Sequence, residues 1–316
     1  MLTLTLLSIV LFFISVAWLR AVVVQRRFSA QRQAGLLIIR QLFQLLESIP
    51  QHRGMSNALL QGNSAFKEKC QMHQKKIDQQ LQKISSDYPE FSSSPAYLEV
   101  KTGWHKITEN LSSLTAPESF TLHTEVISKL LDLISDTGSQ CKLDNSDDKQ
   151  LHGLLAIGIN ILPFVTEVLG QARGIGTGAA TQARLSTQHR SKLIYLHHKA
   201  TLVCSETITI LKNKRIDKNM LDFTQCQKSI ALFLSTLERE FMTAKKIVIK
   251  PDHYFAIASD AIGLSFKQLH SLMKQLSSAL EKEYDSQYKQ LYLSLFSIFL
   301  SSLLVVEMFI LQLGSG

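Results

Sequence analysis

Residues 36–62 read LLIIRQLFQLLESIPQHRGMSNALLQG. Leu36, Leu37, Ile39, Leu42, Phe43, Leu45, Leu46 and Ile49 recur at the spacing that lines one broad face of an α-helix. The stripe continues directly from the apolar run that begins the chain, and no breaker interrupts it before Pro50. Most of the chain follows the same period. Gly (14) and Pro (6) are scarce among the 316 residues, which speaks against strand-and-turn architectures. The expected fold class is all-α.

The chain is 45% hydrophobic and 19% charged, with a net charge of +8, whereas soluble domains carry roughly 25% charged residues. That hydrophobicity excludes a disordered polyelectrolyte. Four cysteines in this length exclude a disulfide-framed miniprotein. The missing charge is localised. Residues 1–19 carry no charged side chain, residues 291–306 carry none, and the second apolar run resumes after Glu307 as far as Leu313. A membrane-spanning helix needs roughly 20 apolar residues, and both ends qualify. The expected organisation is a transmembrane helix over residues 1–24, a helical domain over 25–290 and a second transmembrane helix over 291–313. A cleaved signal peptide is the rival reading of the first segment. Ser15-Val16-Ala17 is a passable cleavage site, but no basic stretch precedes Leu2.

Arg26, Arg27, Arg32 and Arg40 follow the first span, and Lys274, Lys282 and Lys289 precede the second, while the outer tails carry neither Lys nor Arg. The positive-inside rule therefore favours a cytoplasmic middle, against the background that long loops translocate regardless of charge. The same basic flanks attract anionic membrane lipid.

Between the spans the pattern predicts a polar helix over Lys67–Ile84, a loop over Ser85–Pro95 and helices over Tyr97–Leu114 and Phe120–Ile134. Ala116-Pro117-Glu118 marks a helix start, with Pro in the first turn. Asp136–Lys149 reads as a polar connection. Leu151–Leu169 is strongly apolar and should kink at Pro163. Leu185-Ser186-Thr187-Gln188 reads as a cap for a helix over Arg190–Leu211. A further helix is expected over about Asp217–Ile249, and a last one runs from Pro251 without a breaker into the second span. Such an arrangement packs as one or two antiparallel four-helix bundles.

Two segments echo each other 120 residues apart: QHRGMSNALLQG (Gln51–Gly62) and QARGIGTGAATQ (Gln171–Gln182). Both present Gln-x-Arg-Gly, an apolar residue and then a small one. Two such motifs in matched helical contexts point to two related halves. Gly inside a helix costs about 1 kcal/mol relative to Ala and admits a close neighbour, while Arg supplies a planar fork of donors. Two facing forks would suit a small planar oxyanion, which offsets the cost of burying them. The competing structural reading pairs Arg53 with Glu47 and Arg173 with Glu167. Each of these acids lies six residues upstream of its arginine, off the i,i+3 and i,i+4 spacing of a local helical pair.

The repeat resembles the nitrate- and nitrite-sensing (NIT) domain of bacterial sensory receptors. The specific matches are IPQHRGMSNALLQGNSAFKEKCQMHQKKID (Ile49–Asp78) and LPFVTEVLGQARGIGTGAATQARLSTQHRSKL (Leu162–Leu193). FTLHTEVISKLLDLI (Phe120–Ile134) and PDHYFAIASDAIGLSFKQL (Pro251–Leu269) are weaker ones. The resemblance implies an all-helical sensor of the bacterial inner membrane in which paired four-helix bundles hold nitrate or nitrite between them. By position it implies ligand contact from Arg53 and Arg173, close approach at Gly54 and Gly174, and a further contribution from Arg184, with Ser56 and Thr177 able to add hydroxyls. Family members usually carry an output module after the second span, whereas this chain stops at Gly316, so the expectation is a signalling partner protein. A second copy of the chain is another candidate partner. The family's membrane members are usually read with this domain outside the cell, opposite to the charge count. His52, in front of Arg53, makes that site less cationic than one with two basic residues.

Other signals are weaker. Gly174–Ala179 fits a dinucleotide-type glycine string but follows a helix instead of a strand, and no acidic residue follows at the right distance. His197 and His198 point to different helix faces, so with Cys204 they make a poor metal site. Asp144–Asp148 lacks the Gly and terminal Glu of a calcium loop. No nucleophile context is present, and the basic residues are scattered without interleaved aromatics, unlike a nucleic-acid surface. No enzyme activity, metal, cofactor or nucleic-acid partner is expected. The alternative functions are a helical-bundle membrane scaffold and a sensor of another small anion.

Overall fold

The apolar stripe at residues 36–49 sinks into the interior. Ile39, Leu42, Leu45 and Ile49 have no exposed surface, and Leu37 is the one member that faces outward. The helix that carries them, α1, runs Leu2–Leu60. The computed structural model describes residues 2–143, 149–213 and 222–314, so the Asp144–Asp148 stretch and the start of the helix expected near Asp217 lie outside the described residues. All regular elements among the described residues are helical.

Pro50, expected as a breaker, sits inside α1. It lacks an N–H and leaves the Leu46 carbonyl without its helical donor, and burial of the flanking Leu46 and Ile49 holds the helix together across it. Helix α2 spans Lys67–Asp87, α3 Pro89–Ser92 and α4 Pro95–Asn110. The loop expected over Ser85–Pro95 is thus mostly helical. Pro89 and Pro95 each start a helix in place of ending one, and Ser94 caps α4 by accepting from the Tyr97 N–H. Helix α5 (Ala116–Gln140) begins with a capping box between Thr115 and Glu118 and runs beyond the expected end at Ile134. Helix α6 (Lys149–Ala156) continues through a π-helical turn at Ile157–Ile161 into α7 (Leu162–Gln182). The irregularity expected from Pro163 is this π turn, since Pro163 has no N–H for the Ile159 carbonyl. Helix α8 (Thr187–Asn213) starts where Ser186 Oγ accepts from the His189 N–H at 3.1 Å. Helix α9 (Thr224–Leu237) ends in a π turn at Glu238–Met242, short of the expected Ile249. Helix α10 runs Pro251–Gly314 without a break.

Contacts divide the chain into two units. One spans Leu36–Leu276 and gathers four helices in each half. In the first half, α1 meets α2, α4 and α5 through His52, which touches Cys70, Trp104 and His123. In the second half, α7 and α10 meet where the Tyr254 hydroxyl donates to the Ala172 carbonyl at 2.8 Å. Phe233 of α9 and Phe241 of its π turn close on the same tyrosine, and Arg190 of α8 donates to the Met242 carbonyl at 2.8 Å.

The other unit comprises the chain up to Gly35 and from Ser277 onward. Its seam is polar: Ser15 and Ser297 hydroxyls lie 2.8 Å apart, Gln287 donates to Ser29 at 2.7 Å, and Arg32 is bound to Glu283. Its outside is apolar, with Phe13, Ile14, Phe296, Phe299 and Ile310 all exposed. Among the described residues three helices are long and apolar enough to cross a membrane, and burial separates them. The most apolar window of Leu151–Gln182 is 83% buried within the protein, against 17% and 11% for those of α1 and α10. The middle one is a bundle-core helix, and the outer two are candidate membrane helices.

Candidate functional site

Arg53 is carried by α1 beyond Pro50 and points into the interior, 3% exposed. Its guanidinium meets Glu167 of α7 in a two-pronged pair, Nη1 to Oε1 at 2.6 Å and Nη2 to Oε2 at 3.1 Å. Nη1 also donates to Thr124 Oγ1 at 2.9 Å, and the cation lies 4.8 Å from the centre of the Phe120 ring. Glu167 is 5% exposed and accepts a further bond from Gln171 Nε2 at 2.8 Å. This is a closed, charge-neutral corner. Its partner is not Glu47, the acid six residues upstream, but Glu167, the acid that the competing reading assigned to Arg173. Arg53 reaches the glutamate that belongs to the other half, so the pair crosses the repeat.

Beside Arg53, His52 and His123 form a buried relay with Cys70. His123 Nδ1 lies 2.7 Å from the Ser119 carbonyl and must donate to it. Its Nε2 then accepts from His52 Nδ1 at 2.9 Å, which leaves His52 Nε2 to accept from the Cys70 thiol at 3.2 Å. Burial holds both imidazoles neutral, lowering His52 to a pKa of about 3 and His123 to about 4.

Arg173 occupies the matching place in the second half, on α7. Its cation lies 4.9 Å from the Phe255 ring centre and its Nη1 donates to Ser259 Oγ at 3.0 Å. Phe120 and Thr124 of α5 correspond to Phe255 and Ser259 of α10, both at an offset of 135. The two arginines therefore share one local design, a ring beneath the guanidinium and a hydroxyl beside it. They differ in their acids. Among the described residues Arg173 forms no ion pair, and only Ser259 accepts from its fork. Burial, with the nearby Arg53 cation adding to it, holds the Arg173 pKa below the ordinary arginine value.

Arg173 instead faces a cavity of about 440 Å³. Leu46, Glu47 and Pro50 of α1 line it, as do Thr166, Glu167 and Gly170 of α7, and these are the same positions of the two repeats, 120 residues apart. Ser259, Phe266, Lys267 and His270 of α10 complete it. Glu47, the counterpart of Glu167, turns to His270 at 3.7 Å. A Cβ on Gly170 would come within 3.2 Å of Arg53 Nη2, so the bare backbone lets the Arg53 fork pack directly behind this part of the wall.

The expected residues are thus divided. Arg53 and Arg173 influence each other electrostatically, but only Arg173 is in the cavity lining, while Arg53 is sealed by Glu167 and packed against Gly170. Gly174 provides the expected close approach, since a Cβ there would meet Phe120 Cε2 at 2.9 Å. Gly54 does not, because a Cβ would meet nothing within 4 Å. Arg184 follows the end of α7 on an exposed segment and is absent from the cavity lining. Ser56 donates to the Arg53 carbonyl at 3.2 Å, and Thr177 Oγ1 is buried without a hydrogen-bond partner among the described residues. Ser259, Thr124, Phe120, Phe255 and Gly170 were not anticipated. The echo of FTLHT (residues 120–124) in FAIAS (residues 255–259) was the available signal, at a different offset from the Arg-Gly repeat.

No curated protein matches the chain. Among solved structures it is similar to the NasR transcription antiterminator, with a TM-score of 0.70 over 90% of this chain and 81% of that one. At 16% identity that likeness is one of fold. The family model described as nitrate and nitrite sensing matches residues 44–281, a stretch that holds both arginines, both halves of the repeat and every residue of the cavity, and the chain belongs to this NIT family.

Proposed function

We propose that the chain is a membrane-anchored sensor that binds nitrate or nitrite in the cavity at Arg173, with Arg53 as the second cation. The carrying observation is the register of the lining: equivalent positions of two Arg-Gly repeat helices face one cavity, and the Arg173 fork enters it largely unpartnered. A part-buried guanidinium without a carboxylate favours an anion. Ser259 supplies a hydroxyl beside it, and Gln51 of α1 also lines the cavity. Arg53, sealed by Glu167 and packed against Gly170, adds its positive field without lining the cavity. Gly54, Gly174 and Arg184 act as backbone and peripheral support in this reading.

The spans are residues 1–24 and 291–313, in the bacterial inner membrane, with the sensor domain of residues 25–290 on the cytoplasmic side by the count of flanking Lys and Arg. Helix α1 carries both Arg53 and the first span, so one continuous helix joins ligand contact to membrane. A signalling partner protein, anionic lipid and a second copy of the chain are the proposed associates, and no catalytic role is assigned. Calorimetric titration of the full chain in lipid nanodiscs tests the reading. Nitrate or nitrite should release heat, and Arg173→Ala should weaken binding at least about tenfold, the loss of one charge-assisted contact. Equal heats for wild type and variant would remove Arg173 from the site. Alkaline phosphatase and GFP fusions at Lys149 decide the orientation.

The closed pair of Arg53 with Glu167 favours a second reading, a bundle that keeps the fold as a membrane scaffold without the ligand. A third is a sensor of another small anion. If nitrate and nitrite give no heat, titration with other oxyanions selects between these, since only the third predicts binding.

A further inference from the structure

We propose that Glu167 sets the charge of the ligand, so that the cavity accepts singly charged oxyanions and rejects doubly charged ones. The inference rests on the reading of this cavity as the anion site and adds what that site selects for. Buried ions are tolerated when compensated and costly when not. Arg53 and Glu167 compensate each other in a two-pronged pair at 2.6 and 3.1 Å, and Gln171 holds the same carboxylate from its other side at 2.8 Å. Arg173 beside them has a hydroxyl partner and no carboxylate among the described residues.

The three charged groups at the inner end of the site therefore sum to one positive charge. At the rim, half-exposed Glu47 faces the exposed His270, and Lys267 stands on the same wall in solvent. Glu47 and Lys267 cancel and are screened by water. One anionic charge completes the inner set. A second would lie beside the Glu167 carboxylate with no cation to meet it. A wide cavity with apolar walls at Leu46, Pro50, Ile262 and Phe266 cannot exclude sulfate by size, so selection among oxyanions falls to this charge count. Nothing local in α7 reveals the role, because the cation that Glu167 neutralises lies on α1.

The test titrates the full chain in nanodiscs with sodium nitrate and sodium sulfate at constant ionic strength. Wild type should prefer nitrate. Glu167→Gln leaves two uncompensated arginines, so sulfate should gain more than nitrate and the preference should fall at least about tenfold. Arg53→Gln leaves Glu167 uncompensated and should lose nitrate, and the double variant R53Q/E167Q, again with one positive charge, should regain it and restore the wild-type preference. An unchanged preference in Glu167→Gln, in a protein whose helical circular dichroism matches wild type, overturns the proposal. So does a double variant that binds no better than Arg53→Gln, an arm that needs no stable Glu167→Gln single. If wild type binds nitrate while these arms fail, only the charge assignment falls. If wild type binds no monovalent oxyanion, the anion-site reading falls with it.

Discussion

The two halves of the sensor domain carry the same arginine on the same kind of helix, over the same kind of ring, and use it in opposite ways. In the first half Arg53 is sealed by Glu167 and shielded from water. In the second half Arg173 keeps the ring and the hydroxyl but opens its fork onto a cavity. The acid that equivalence would assign to Arg173 is Glu47, which turns to His270. A repeat thus supplies two copies of an anion-seeking group, and one internal carboxylate occupies only one of them. A closed copy fixes the architecture, while an open copy provides the chemistry.

Removing each arginine is the strongest way to break this contrast. Arg53→Ala strands a buried carboxylate and should cost about 3–5 kcal/mol of stability. Arg173→Ala loses one neutral hydroxyl partner and should cost about 0.5–1.5 kcal/mol. Chemical denaturation of the two variants checks the difference, and equal losses would mean that Arg173 has a structural partner of its own.

Acid should separate the halves next. His52 and His123 are replaced at the equivalent places of the second half by Ala172 and Ala258. Their folded pKa values, about 3 and about 4, lie below the unfolded value of 6.5. The unfolded chain therefore binds more protons, and the stability that is fully present above pH 6.5 is lost as pH falls toward 4. Each histidine withdraws up to about 1.4 kcal/mol per pH unit in that window. Hydrogen exchange from pH 7 to pH 5 should show α1, α2 and α5 opening before α8 and α9. Uniform opening would mean that the relay does not govern the first half.

Two glycines sharpen the comparison further, with opposite signs. At Gly176 a Cβ would lie 2.4 Å from the Tyr254 ring and hydroxyl, so Gly176→Ala should lower stability by about 1–3 kcal/mol. Its counterpart in the first half is Ser56, which faces the small Ser119 where the second half has Tyr254. Gly54 has open space, so Gly54→Ala should raise stability, by up to about 1 kcal/mol from helix propensity alone. Thermal melts of the two variants that moved in the same direction would contradict this account of the packing.

Much of this was readable before any fold was built. The stripe from Leu36 to Ile49, the uncharged ends, the Ser186 cap and the paired Arg-Gly motifs each depend on neighbours within a turn or two of helix. What was not readable involved partners far along the chain or a competition between local signals. Pro50 reads as a stop, yet tertiary burial of its flanks carries α1 through it. Ser85–Pro95 reads as a loop, yet its prolines start helices. Glu167 was visible only as an acid at the wrong spacing from Arg173, and its true partner lies 114 residues away.

The sequence by itself determined that the chain is helical, that its two ends are membrane-like and that its middle repeats, because helical period, missing charge and motif recurrence are properties of short segments. Only the tertiary structure decided which arginine is closed and which is open. That choice depends on where a single buried carboxylate sits relative to two equivalent cations, and the strong penalty for an uncompensated buried charge lets one such contact assign the roles of both halves.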